Sequence, residues 1–313
     1  MNVQEMQTAS HESMDSTVKT KTATSNVLQL LAICVASVAF ATSSIASAQT
    51  YLSIDFPGAT ATTLSGGPNP EGASVGTYID TAGVTHGFVL TKKGIFTSLD
   101  VPGSTATTPN LIDPQGTIVG SYLDASNVSH GFILQGGNFK TVDFPGAAGT
   151  VLTGISPMGE MSGFTCVAAS CVDGTFHSFV VSKIGDFTSF DPPGAISSNT
   201  ATVSPSGTVF GDYTDAGGGG HGYVLDHGTF TTIDFPGSTF TFVGGGNFEG
   251  DSVGEYNDQV DVGHGFLLSR GVFTSFDFPG ATGTTATGIN PAGIIIGAYV
   301  DSAGQEHGFI RTP

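Results

Sequence analysis

The chain has 313 residues, 26 of them acidic and 8 basic, for a formal net charge of −18 at pH 7. So negative a surface repels phosphate backbones and anionic membranes, which excludes nucleic acid as a partner. Glycine supplies 46 residues, about twice the ordinary usage of ~7%, and tryptophan is absent.

Residues 1–48 differ from everything that follows. They are polar around Lys19 and Lys21, apolar from Val27 to Phe40, and small at Ala46-Ser47-Ala48. That order is a secretory signal cleaved after Ala48. The apolar run of 14 residues falls short of the ~20 needed to span a bilayer, so no membrane insertion is expected after cleavage. Loss of Glu5, Glu12, Asp15, Lys19 and Lys21 leaves 23 acidic and 6 basic residues in 49–313, a net charge of −17. The mature chain is expected to be secreted or periplasmic.

From residue 51 onward one pattern recurs six times. The chain begins on the last strand of the pattern, residues 51–57, and ends on its third strand, His307 to Arg311. Each copy opens on a Thr-, Ala- and Gly-rich strand such as Thr284 to Asn290. A turn of Pro, any residue and Gly follows in five copies: Pro70 and Gly72, Pro114 and Gly116, Pro157 and Gly159, Pro205 and Gly207, Pro291 and Gly293. Proline presets the first corner of such a turn and glycine relieves its exit. The fifth copy keeps only Gly250.

The second strand carries an internal glycine, at Gly76, Gly120, Gly163, Gly211, Gly254 and Gly297, which points to tight packing between sheets. In five copies it ends in Tyr, one residue and Asp: Tyr78 and Asp80, Tyr122 and Asp124, Tyr213 and Asp215, Tyr256 and Asp258, Tyr299 and Asp301. The third strand starts on His86, His130, His177, His221, His264 and His307. The fourth ends on Asp55, Asp100, Asp143, Asp191, Asp234 and Asp277, each before a Pro-Gly corner. Apolar residues on both faces of a strand, such as Phe273 and Phe276, fit a sheet packed between two neighbours.

Successive histidines are 44, 47, 44, 43 and 43 residues apart. A unit of about 43 residues with four β-segments is a propeller blade, whereas the coil of a parallel β-helix is much shorter. The expected fold is all-β, a six-bladed propeller of four-stranded blades forming one domain over 49–313. Residues 51–57 complete the C-terminal blade and close the ring, which removes the free edges. The long step holds Cys166 and Cys171, an even pair in an exported chain, read as a disulfide within a hairpin.

His86-Gly87-Phe88, His130-Gly131-Phe132, His264-Gly265-Phe266 and His307-Gly308-Phe309, together with Asp-Phe-Pro-Gly at Asp55, Asp143, Asp234 and Asp277, resemble the bacterial extracellular repeat proteins of the HAF family. The resemblance covers essentially the whole mature chain and implies an extracellular protein, without implying an activity. His177-Ser178-Phe179, Tyr223 for Phe, Pro192 for Phe and the cysteine loop depart from the pattern. The third blade, the most irregular, is where an added function is expected.

One His and one Asp per blade form a ring of equivalent groups. A catalytic site needs unlike groups converging on a point, so both sets read as structural. The densest acidic stretch, Glu249, Asp251, Glu255, Asp258 and Asp261, offers oxygen ligands for Ca2+, although strand alternation sends them to opposite faces. No other cofactor is suggested. His227 beside Asp226 and the run Gly217 to Gly220 read as exposed turns. The leading expectation is a monomeric, non-enzymatic scaffold binding extracellular polysaccharide or protein. The alternative is a glycoside hydrolase or lyase, which needs carboxylates such as Glu71, Glu160, Glu249 and Glu255 facing each other across the channel; a structural matrix component is a third reading. The exported protein is predicted to begin at Gln49. Mass spectrometry of its N-terminus checks this, and a secreted chain that still carries residue 1 overturns it.

Overall fold

The computed structural model describes residues 49–171, 175–247 and 249–313. The segment read as a signal, 1–48, lies outside them. The described chain forms 24 strands and no helix. They make six antiparallel four-stranded blades around a channel, so the fold is a β-propeller. A single parallel bridge, Gly220 to Phe240, links the fourth and fifth blades edge to edge.

The innermost strands are Ala61–Gly66, Ala106–Ile112, Gly149–Ile155, Ala195–Val203, Phe240–Gly246 and Gly283–Ile289. Each contacts the next around the ring, and the sixth contacts the first. Closure follows the expected route: Thr50–Ile54 pairs antiparallel with Glu306–Thr312, in register from Thr50 with Thr312 to Ile54 with Gly308.

No blade has a core of its own. Six apolar clusters fill the six wedges between blades, and each draws on two neighbours. Phe273 belongs to the wedge between the fourth and fifth blades and Phe276 to the next. The ring that follows each repeat histidine by two residues, at Phe88, Phe132, Phe179, Tyr223, Phe266 and Phe309, is fully buried. Such a side chain contributes about 2–3 kcal/mol by leaving water.

The second-strand glycines act within a blade rather than between sheets, which corrects the reading above. A β-carbon on Gly76 would lie 2.1 Å from the Thr63 carbonyl and 2.7 Å from the Phe88 ring, both in its own blade. Tight packing between blades falls to the glycine after histidine, as at Gly87, whose β-carbon would press on Pro109 of the next blade.

Every inner strand also carries a β-bulge at one place, at Ser65, Asn110, Thr153, Ala201, Gly244 and Thr287. The extra residue turns toward the channel axis. Three of these side chains bond to the next blade: Asn110 Nδ2 donates to the Leu152 carbonyl at 2.8 Å, Thr287 Oγ1 to that of Leu64 at 2.7 Å, and Thr153 Oγ1 meets Thr200 Oγ1 at 3.3 Å.

Closure assigns opposite fates to two residues of the first strand. Ile54 is buried at 9% exposure and Leu52 is 59% exposed. Ile54→Ala is therefore expected to cost about 2–4 kcal/mol and Leu52→Ala less than about 0.5 kcal/mol. Urea unfolding measures both, and equal effects would count against the first strand sealing the ring.

Candidate functional site

At one end of the ring the repeated motifs join into a single device. In all six blades the histidine Nδ1 meets the aspartate closing the fourth strand of its blade, at 3.1 Å for His86 and Asp100 and 3.0 Å for His130 and Asp143, and in five of them a second aspartate joins. The Nε2 of the same ring faces the aspartate of the Tyr-x-Asp turn at 3.5–3.7 Å. That aspartate's other oxygen accepts two backbone N–H groups; Asp80 takes those of Ala82 and Val84. Tyrosine stacks on the histidine, with centroids 5.0 Å apart for Tyr78 and His86. The phenylalanine of Asp-Phe-Pro-Gly stacks on the tyrosine of the following blade, at 3.7 Å for Phe56 on Tyr78 and 3.6 Å for Phe235 on Tyr256. One four-residue corner thus holds its own blade through Asp and the next through Phe.

A second staple lies beneath. The N–H of the residue after that Asp donates to a threonine six positions on, as Phe56 does to Thr62 at 3.0 Å. Pro192 has no N–H, and there Ser198 donates instead to Asp191 at 2.6 Å. The irregularities of the third and fourth blades answer one another in this network: Ser178 meets Ser198 at 2.8 Å and the Tyr223 hydroxyl at 3.2 Å. They are mutual compensations in one buried wedge. The Cys166–Cys171 disulfide is present, and the Ala169 carbonyl of its loop accepts a hydrogen bond from the Ser129 N–H of the second blade at 2.7 Å. Thr165 and Val167 stand where other blades have Tyr and Asp. His177 consequently keeps one partner, Asp191 at 3.0 Å, and is 46% exposed where the others are 21–27%.

The five acidic residues of the fifth blade do not converge. Glu249 and Asp251 sit in the turn before the strand Ser252–Asn257, while Asp258 and Asp261 sit in the turn after it. Six residues of strand span roughly 20 Å. Glu255, in its middle, accepts a hydrogen bond from Thr285 of the sixth blade at 2.5 Å. Among the described residues no three His, Cys, Asp or Glu make a group able to hold a metal. His227 is an exposed turn residue with φ 47°, and the Gly217 to Gly220 run is a turn held by Asp215.

A cavity of about 1140 Å3 takes in the central channel and its extension between two blades. Its wall includes Ser65, Asn110, Thr153, Thr200, Thr202, Thr287 and glycine backbone, the rings of Phe164 and Phe242, and aliphatic side chains such as Leu111, Ile112, Ile155, Val203 and Ile289, so that it is more apolar than polar. It continues into the seam between the sixth and first blades, over Leu52, Leu90, Phe96 and Ile310. The first blade has Gly67-Pro68 where others set Ile112, Ile155, Val203 or Ile289, which leaves that seam open. Glu71, Glu160, Glu249 and Glu255 are not among the lining residues. The carboxylates that are, Asp55 and Asp113, are engaged with His307 and with the N–H groups of Gln115 and Thr117.

One residue escaped sequence reading. Asp212 holds a carboxyl oxygen, Oδ1, sealed from solvent without a hydrogen-bond partner among the described residues. Burial pushes this carboxyl well above the ordinary 3.8, against the opposing bond to Asn199. Burial likewise raises Glu255, with the Thr285 bond opposing. Alignment of the repeats would have flagged both, since the residue after the second-strand glycine is otherwise Thr77, Ser121, Phe164 or Ala298.

The chain matches no protein-family model and no curated protein. Solved propellers are similar to it in shape. A putative TolB from Agrobacterium tumefaciens superposes with a TM-score of 0.57 at 15% identity, over 80% of this chain and 89% of that one. The six-bladed, fucose-recognising lectin of Aleuria aurantia gives 0.50 at 13%, over 79% and 90%. A virginiamycin B lyase from Staphylococcus aureus, solved with quinupristin, gives 0.50 at 11%, over 85% and 100%. The class defined is the β-propeller.

The charges of the histidine ring set a pH dependence. Burial lowers His221, His264 and His307, but the bonds and charges of their two aspartates outweigh it and raise all three above 6.5. That stability is complete below 6.5 and is lost as pH rises through the raised values. Bonds from the N–H four residues on, first among several causes, lower Asp80, Asp124, Asp215, Asp258 and Asp301 below 3.8. Their contribution is complete above 3.8 and is lost as pH falls through the lowered values. Asp212 and Glu255, raised, favour acid as the histidines do. The melting temperature should therefore peak near about pH 5 and fall toward pH 8. A maximum at or above pH 8 in a melting series overturns this assignment.

Proposed function

We propose that this chain is an exported, non-catalytic propeller of the HAF-repeat kind that binds a neutral extracellular polysaccharide in its central channel. The observation that carries the reading is a channel wall that sets hydroxyls, amides and bare peptide backbone among aliphatic side chains and two phenylalanine rings. Hydroxyl and amide groups both donate and accept, which suits the hydroxyls of a sugar, while ring faces suit its apolar side. The opposing carboxylates that glycoside hydrolysis requires are not contributed by the glutamates that sequence nominates. A mature charge of −17 disfavours anionic glycans such as uronates at ordinary ionic strength. The Aleuria aurantia lectin recognises fucose on the same architecture, and a disulfide within a small loop suits an oxidising compartment.

Affinity electrophoresis of the exported protein through gels containing neutral or uronate-bearing polysaccharides tests the reading. Retardation by a neutral polymer, with no new reducing ends or unsaturated products on long incubation, is expected. Migration unaffected by every neutral polymer, or release of cleaved product, overturns it.

A further inference from the structure

The channel is not six-fold symmetric, and its departures gather on one side. At the bulge, four blades present a hydroxyl or amide, whereas the fourth presents Ala201 and the fifth Gly244. The fifth blade continues as Gly245 and Gly246, so its wall there is backbone alone. Two residues deeper than the bulge the cavity touches Asn199 and Phe242, with Phe164 beside them from the third blade. The equivalent residues of the other inner strands do not line it. Against the fourth and fifth blades the channel thus reaches one strand position further in, to an amide and two aromatic rings.

Asp212 stands behind that floor. It lies directly opposite Asn199 in the register of the fourth blade, and residues opposite one another across antiparallel strands share a face. Its carboxyl faces the Asn199 side chain across the strand pair, and that amide opposes the rise that burial imposes. The propeller's own logic gives Asp212 no other use. Glu255, its equivalent in the next blade, is satisfied by the Thr285 hydroxyl across the wedge, but the residue in Thr285's position for Asp212 is Phe242, which has nothing to donate. A buried carboxyl oxygen without a partner calls for an explanation, and orienting the amide of Asn199 is one.

We propose that the recess formed by Asn199, Phe242 and Phe164 is a binding subsite for one neutral sugar residue, with Asp212 as the positioning residue that orients the Asn199 amide. The sugar's apolar face packs on the phenylalanine rings. Asn199, held against Asp212 by the strand register, offers its amide N–H and its carbonyl to adjacent hydroxyls. This rests on the polysaccharide-binding reading and deepens it.

Isothermal titration of the exported protein with the methyl glycosides of glucose, galactose, mannose and xylose, and with glucuronic acid as the charged comparator, is the test. At least one neutral glycoside binds and glucuronic acid does not. Asn199→Ala and Phe242→Ala each weaken that binding about tenfold or more, the loss of one well-made contact. Asp212→Ala weakens it severalfold while leaving the melting temperature unchanged or higher. A merely structural Asp212 would do the reverse, lowering the melting temperature and sparing the affinity. Melting curves of all three variants separate lost contacts from lost folding, and Asp212→Asn supplies an isosteric variant. Unchanged affinity in folded Asn199→Ala and Phe242→Ala overturns the subsite, as does failure of every glycoside to bind wild type. In either case continued retardation by a neutral polysaccharide shows that the broader reading survives, whereas loss of retardation by every polymer removes that reading itself.

Discussion

Every blade of this protein depends on the wedge on either side of it. A four-stranded sheet with apolar residues on both faces has no inside of its own, and one left at the end of a row would expose a full apolar face and a hydrogen-bonding edge. The chain solves both with a single pairing, Thr50–Ile54 against Glu306–Thr312. That pairing brings Ile54 into the cluster with Leu64, Phe88 and Ile296, so the seam joining the two ends of the chain is packed like the others near its base. It differs at the mouth, where Gly67-Pro68 replaces a branched side chain and the cavity spreads sideways.

The sixfold motifs are then understood as fasteners between wedges. Histidine, tyrosine and two aspartates in one blade, with phenylalanine from the preceding corner, form a stacked and hydrogen-bonded set at the rim. Partly exposed charges contribute modestly each. Their effect lies in repetition and in fixing the turns: an aspartate that accepts two N–H groups cannot leave its turn without orphaning them. This also accounts for the coupled irregularities. Loss of the N–H at Pro192 is answered by Ser198, and the hydroxyl of Tyr223 by Ser178, so a departure in one blade is met by a departure in its neighbour.

Much of this was legible in the sequence because it is local. The spacing of His, Tyr-x-Asp and Asp-Phe-Pro-Gly gave the blade, its phase gave the closure, and two cysteines in one long repeat gave the bridge. What could not be read depends on direction rather than spacing. A bulge reverses which side chain faces the channel, and nothing in the strings around Asn110 or Ala201 announces one. The acidic stretch of the fifth blade looked like a cluster because its members are close in sequence, yet a strand carries them to opposite ends. Asp212 looked ordinary because it is solitary, and only its cross-strand partner and its missing donor distinguish it.

The contrast between Asp212 and Glu255 shows how a symmetric ring can acquire a one-sided site. Both stand at the position after the second-strand glycine, where other blades have Thr77, Ser121, Phe164 or Ala298, and burial raises both carboxyls. In one wedge the next blade offers Thr285, and the substitution closes into a neutral structural contact. In the other it offers Phe242, and the same substitution leaves an oxygen unanswered beside the one amide that the channel reaches at that depth. A single difference in the neighbouring strand therefore decides whether a carboxyl becomes part of the frame or remains available to hold something that the frame does not require. Gly244 and Gly245, whose β-carbons would press on the Ala286 and Thr287 carbonyls, let the fifth inner strand approach the sixth, while Gly246 makes room for the Phe210 ring of the fourth blade, so the same strand is packed closely against both neighbours.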